Sequence, residues 1–256
     1  MKQIILITDG CSNVGISPVV AAAHARQSDI VVNVIGIVDG GDLGERGATE
    51  IAEIAKAGGG MSRLVTQYAL AETVQMMTRQ TVLRTIRQTV QQELKQIIGP
   101  GAALEQLPPG QRGAVVRMID EWSETSSLRV ALLIDTSASM APKLKAVEEA
   151  CRDLLASLRA RKGVSEMAVF RFPGHAEVDL LADWTSDLAK TANMFYNLNM
   201  KGTTPTGPAL LGAIRYVAQD TPAHSTLTDG AAIRGRDEER SYKPSDGDGI
   251  FSDYIV

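Results

Sequence analysis

Asp135-Thr136-Ser137-Ala138-Ser139 closes the apolar run Val130–Ile134. One carboxylate and two hydroxyls at alternate positions of a turn offer oxygen to a hard cation. Such a donor set suits Mg²⁺, which prefers six oxygen ligands and keeps some of them as water, with Mn²⁺ or Ca²⁺ as alternatives. A second apolar run, Ile4–Ile7, ends in Thr8-Asp9-Gly10, and a further oxygen source follows at Gly202-Thr203-Thr204-Pro205-Thr206-Gly207. Each piece alone has a plainer reading. Ser139 can cap a helix ahead of Ala141-Pro142, Asp-Gly ends many strands, and Thr206 can cap the helix after it. Ser12 and Asn13 either turn the chain after Asp9 or hydrogen-bond behind the ligands. His24, His175 and His224 have no His or Cys partner at ligand spacing, and Cys11 reads as a small loop residue whose thiol reactivity stays open.

The elements that must carry these residues alternate. Ile4–Thr8 is a short continuous apolar run, the pattern of a strand buried on both faces. Ser17-Pro18 opens a helix to about Gln27. A strand is expected over Ile30–Val38, a turn at Asp39-Gly40-Gly41-Asp42, a helix over Thr49–Ala57 stopped by Gly58-Gly59-Gly60, and a short strand over Arg63–Thr66. A long helix from about Ala69 to Ile98 carries Leu70, Val74, Met77, Val82, Ile86, Val90 and Leu94 at helical spacing, while Arg79, Arg84, Arg87 and Lys95 read as a solvated face. Pro108-Pro109 opens a shorter helix. The alternation then restarts with strand Arg129–Ile134, helix Ala141–Leu158, strands Glu166–Phe172 and Glu177–Leu181 around Pro173-Gly174, a helix over Leu188–Asn199, and a last helix after Thr206. Neither half has enough strands to bury a parallel sheet. Joined, they predict a doubly wound α/β fold: a mainly parallel, six-stranded sheet with helices on both faces.

Composition sets limits. The 256 residues allow one large domain or two small ones. A net charge of −4 gives no electrostatic support for nucleic-acid binding. Two cysteines make neither a disulfide framework nor a zinc spacing. No apolar run reaches the ~18 residues of a membrane helix, and a strand begins almost at Met1, so no membrane insertion, no signal peptide and a cytoplasmic location are expected.

With the elements in place, the three oxygen sources resemble the metal-ion-dependent adhesion site of von Willebrand factor A domains. In that family D-x-S-x-S ends the first strand, a threonine sits in the loop before a later helix, and the Asp of a T-D-G ends the fourth strand. The resemblance assigns Asp135, Ser137, Ser139, Thr204 and Asp9 as metal ligands; Ser12, Asn13 and Thr206 are candidates for hydrogen bonds behind them on their position alone. It covers about residues 1–98 and 128–219, in swapped order, and is similar to the YabS-like von Willebrand A proteins of spore-forming bacteria. Residues 1–98 then read as the C-terminal half of the fold, 99–127 as a linker with a short helix, and 128–220 as the N-terminal half. Residues 221–256, rich in Asp, Glu, Gly and Ser, read as a disordered tail. A circular permutation and a domain-swapped dimer both satisfy this order.

The resemblance implies a non-enzymatic protein-binding module whose Mg²⁺ accepts an exposed Asp or Glu of a partner. Two further readings stand beside it: a subunit acting with a separate AAA+ ATPase, and a metal-free scaffold. A hydrolase is disfavoured by the residues. An aspartate-nucleophile phosphatase needs a second Asp where Ser137 stands, and the chain has no G-x-x-x-x-G-K-[ST], no G-x-G-x-x-G and no serine nucleophile elbow.

Overall fold

The computed structural model describes residues 1–38, 45–99, 104–191, 194–195 and 202–219. Among them, β1 (Lys2–Thr8), β2 (Ile30–Ile37), β3 (Gly59–Val65), β4 (Leu128–Asp135), β5 (Ser165–Phe172) and β6 (Asp179–Thr185) form one sheet in the order β3-β2-β1-β4-β5-β6. All neighbours are parallel except β5 and β6. The helices are α1 (Pro18–Gln27), α2 (Glu45–Ala57), α3 (Leu70–Ile98), α4 (Pro109–Thr125), α5 (Leu144–Arg159) and α6 (Thr206–Ala218).

Alternation along the strands splits the core in two. Ile5, Ile7, Val130, Leu132, Val169 and their helix partners Val74, Met77, Val147 and Leu154 fill one face, under α3, α4 and α5. Ile4, Leu6, Ala131, Leu133, Phe170 and their partners Ala21, Ile51, Leu210 and Val217 fill the other, under α1, α2 and α6. Burial of each Ile or Leu side chain contributes about 1.5–3 kcal/mol, so the central strands β1 and β4 anchor the sheet. One polar knot interrupts the apolar layer. Asn33 Nδ2 donates to Gln3 Oε1 (3.1 Å) and Thr81 Oγ1 (2.9 Å), and Asn33 Oδ1 accepts from the Met61 N–H (3.0 Å), which ties β1, β2, β3 and α3 together.

Central strands lie where expected; edge elements move. β3 begins at Gly59, inside the glycine run read as a helix stop. A Cβ at Gly60 would meet the Val32 carbonyl oxygen at 2.1 Å, so glycine here permits close strand pairing as well as ending α2. α2 starts at Glu45, a turn earlier than expected. β6 starts at Asp179 instead of Glu177 because Asp179 is the cross-strand partner of Arg171 and ion-pairs with it at 2.7 Å. The helix expected over Leu188–Asn199 is a 3₁₀ turn at Leu188–Thr191, and residues 192–193 and 196–199 lie outside the described residues. The expected turn at Asp39–Asp42 and the tail 221–256 also lie outside them. No helix among the described residues is long and apolar enough to cross a membrane.

Candidate functional site

β1 and β4 are parallel neighbours, and the strand order reverses between them, so their carboxyl ends frame a crevice of the kind where open α/β sheets bind ligands. Register pairs Ile7 with Ile134, which brings Thr8-Asp9 and Asp135 side by side at the rim.

Asp135 is fully buried. Its Oδ2 accepts from the Thr8 hydroxyl at 2.7 Å and its Oδ1 from the Ser137 N–H at 2.8 Å. Burial pushes the Asp135 carboxyl above its ordinary range, and the hydrogen bonds from Ser137 and Thr8 pull only part of the way back. The hydroxyls of Ser137 and Ser139 lie 3.2 Å apart, and the Ser139 hydroxyl donates to Asp9 Oδ1 at 2.9 Å. Four of the five expected ligands are therefore joined in one hydrogen-bonded chain, with Asp135 linked to Ser137 through the Ser137 N–H. Ser139 does not cap a helix; its hydroxyl is committed to Asp9.

The fifth, Thr204, is buried and is joined to the loop that follows Asp9. Asn13 Oδ1 accepts from the Thr204 N–H at 2.8 Å, while the Asn13 N–H and the Ser12 hydroxyl donate to the Thr204 carbonyl at 3.2 and 3.4 Å. Ser12 and Asn13 thus clasp the two loops together, which goes beyond turning the chain. The Ser12 N–H in turn donates to the Glu50 carboxylate at 3.2 Å. Thr206 is the first residue of α6, and Pro205 stands at the cap position without a side-chain cap. The Thr206 hydroxyl is buried without a hydrogen-bond partner. Burial, reinforced by Glu50, raises the Cys11 thiol above its ordinary range, which argues against a reactive thiolate.

Two contributors were not singled out by the sequence. The Thr8 hydroxyl anchors Asp135, and Lys143 places its ammonium 2.5 Å from Asp9 Oδ2 and 3.4 Å from the Ser139 carbonyl. The signal for Lys143 is its spacing. It stands four residues beyond Ser139, at the end of the 3₁₀ stretch Ala138–Lys143 that carries the chain into α5.

The donor set of carboxylates and hydroxyls fits a hard cation. Among the described residues no group of three or more His, Cys, Asp or Glu side chains is placed to hold a metal. The cleft instead has two carboxylates, two facing hydroxyls and one ammonium.

A doubly wound sheet with an aspartate-serine cleft at its switch point defines the class, and comparison with known proteins gives the family. The family described as von Willebrand factor type A domain matches residues 130–231, which begin on β4. An uncharacterized protein, YabS of Bacillus subtilis strain 168, is 46% identical over 211 residues, covering 82% of this chain and 86% of that protein. The crystal structure of an uncharacterized protein from Alicyclobacillus acidocaldarius superposes with a TM-score of 0.78 at 43% identity, covering 84% of this chain and 92% of that one. The chain belongs to the von Willebrand factor type A family, as a YabS-like member with its chain order permuted. That membership supports a protein-interaction module.

Proposed function

We propose that the chain is a metal-dependent protein-binding module, non-enzymatic, whose cleft holds Mg²⁺ and through it takes an Asp or Glu side chain of a partner. The observation that carries this reading is the hydrogen-bonded chain Asp135–Ser137–Ser139–Asp9, assembled from two strand ends at the switch point. Asp135, Ser137, Ser139, Asp9 and Thr204 are the residues that would hold the ion. When bound, the ion supplies a Lewis-acidic position for a carboxylate oxygen. The chain's own charges fit this role. Asp9 and Asp135 as carboxylates and Lys143 as an ammonium leave the cleft with one net negative charge, which attracts a divalent cation. A divalent cation inverts that to one net positive charge, which attracts an acidic side chain. Buried Asp135, anchored by Thr8 and Ser137, keeps its position through both steps.

Calorimetry with Mg²⁺, paired with partner capture in Mg²⁺ and in EDTA, tests the reading. Saturable Mg²⁺ binding lost in Asp135→Ala, and capture lost in EDTA, are the expected results. Capture that persists in EDTA and in Asp135→Ala would overturn it. A second reading, a metal-free scaffold, is favoured by one observation: Lys143 already supplies Asp9 with a cation. On that reading Mg²⁺ leaves the melting temperature unchanged, whereas an ion at ~100 times its Kd adds ~2.7 kcal/mol of stability.

A further inference from the structure

A second concave surface lies at the opposite end of the sheet, where β2 and β3 begin. Arg26 from the end of α1, Lys56 from the end of α2, Arg63 from β3, and Arg84 from α3 converge on a cleft of about 740 Å³ floored by Gly58, Gly59 and Gly60. The cleft continues along α3, where Arg26 and Arg84 are joined by Arg87 and Lys95. Asp29 is the one acid in this lining. All six cations are exposed, and none forms an ion pair with a carboxylate among the described residues. In a chain of net charge −4, this concentration of unpaired positive charge is a local reversal of the protein's field. The α3 cations are exposed, as expected of a solvated face, and α1, α2 and β3 bring further cations beside them.

β3 adds a second property. It stands at the end of the sheet order and pairs with β2 alone, so among the described residues its outer edge is open. Arg63 and Leu64 on it are exposed. An open edge offers backbone hydrogen bonds to an extended segment. The lining holds no aromatic ring on which a base could stack, which favours a peptide over single-stranded nucleic acid.

We propose that this basic groove binds an acidic, extended segment of a protein partner, laid along the β3 edge with its carboxylates toward Arg26, Lys56, Arg63 and Arg84. The surface is remote from the cleft at the ends of β1 and β4, so it acts independently of any bound metal. The test uses the full chain and a fluorescein-labelled 12-residue peptide of Glu, Asp and Ser, read by fluorescence anisotropy. Binding is expected at 50 mM NaCl and is expected to weaken at least tenfold at 300 mM, because the screening length, about 10 Å at 0.1 M, shortens as salt rises. The double variant Arg26→Glu/Arg84→Glu is expected to weaken binding at least tenfold, and Arg87→Glu/Lys95→Glu by several-fold. Arg159→Glu on α5 and EDTA are expected to leave it within twofold. Amide exchange at residues 59–65 is expected to slow when the peptide is bound. The proposal is overturned by absence of binding at 50 mM NaCl, or by equal weakening in Arg159→Glu. It is likewise overturned by unslowed exchange at 59–65 under saturation, or by an oligouridine of equal charge binding more tightly than the peptide.

Discussion

Lys143 and Asp9 form a buried ion pair, Nζ to Oδ2 at 2.5 Å, with side chains only 6% and 3% exposed. The pair sits within the cleft proposed to hold a divalent cation, so Lys143 both neutralises and competes. Removing one partner of a buried pair strands the other charge, at a cost of about 3 kcal/mol. Lys143→Gln is therefore expected to destabilise the metal-free protein by about that much in urea unfolding. The same variant is expected to bind Mg²⁺ about tenfold more tightly by calorimetry, since Asp9 is released to the ion. Its affinity for an acidic partner is expected to fall, because the loaded cleft loses its net positive charge. Unchanged Mg²⁺ affinity would mean that Lys143 and the ion do not share Asp9.

The clasp between the two loops gives a separate test. Asn13 Oδ1 accepts from the Thr204 N–H at 2.8 Å, and truncation leaves that donor without its partner, costing about 1–2 kcal/mol. Asn13→Ala is expected to lose that much stability and to weaken Mg²⁺ binding several-fold, because Thr204 is no longer fixed. Asn13→Asp keeps an oxygen at the same place and is expected to recover most of the stability. Calorimetric titration of the two variants side by side decides it, and wild-type Mg²⁺ affinity in Asn13→Ala would exclude a positioning role for the clasp.

These residues also mark how far the sequence could be read. Asp135 and Asp9 were legible because each stands at the end of a buried strand, where a continuous apolar run followed by a carboxylate is visible without coordinates, and Ser137 and Ser139 follow at alternate positions of the turn after Asp135. Lys143 was not, because its contact depends on a 3₁₀ stretch that folds residue 143 back over residue 139, where helical spacing would read it as the start of a charged face. The edges were displaced for a related reason. β3 and β6 are only partly buried, so apolar runs do not delimit them. Their ends are set by particular contacts, Gly60 against the Val32 carbonyl and Arg171 against Asp179. Ser12 and Asn13 could be read as a turn; their hydrogen bonds to Thr204 cross 191 or more residues of sequence, and no local pattern encodes them.

Gly207 fixes how α6 approaches the cleft. A Cβ there would lie 1.9 Å from the Ile16 carbonyl oxygen and 2.8 Å from its carbon, which is backbone and cannot rotate away. Gly207→Ala must push the start of α6 off the loop ahead of α1. Overpacking of this kind costs roughly 1–3 kcal/mol. Urea unfolding is expected to register that loss together with weaker Mg²⁺ binding, since Thr204 stands just before the helix. A variant of unchanged stability would show that α6 tolerates the shift.

Asp179 supplies a pH-dependent element far from the cleft. Burial alone would raise its carboxyl, but hydrogen bonds from the His175 N–H and ring and the charge and guanidinium of Arg171 outweigh it and hold the carboxyl below its ordinary range. The geometry is a cross-strand pair: Arg171 Nη2 lies 2.7 Å from Asp179 Oδ2, with side chains 11% and 19% exposed. A carboxyl depressed in the folded state contributes stability that is fully present above the unfolded value of about 3.9. That contribution is lost as pH falls through the lower folded value. Asp179→Asn is therefore expected to cost about 2 kcal/mol at pH 7, in the range of a charge-assisted hydrogen bond. The gap between wild type and variant should narrow steadily below pH 4. Urea midpoints measured across that range test the sign directly. A gap that widens on acidification would mean that the Asp179 carboxyl is raised in the folded protein, and that Arg171 does not stabilise its charged form.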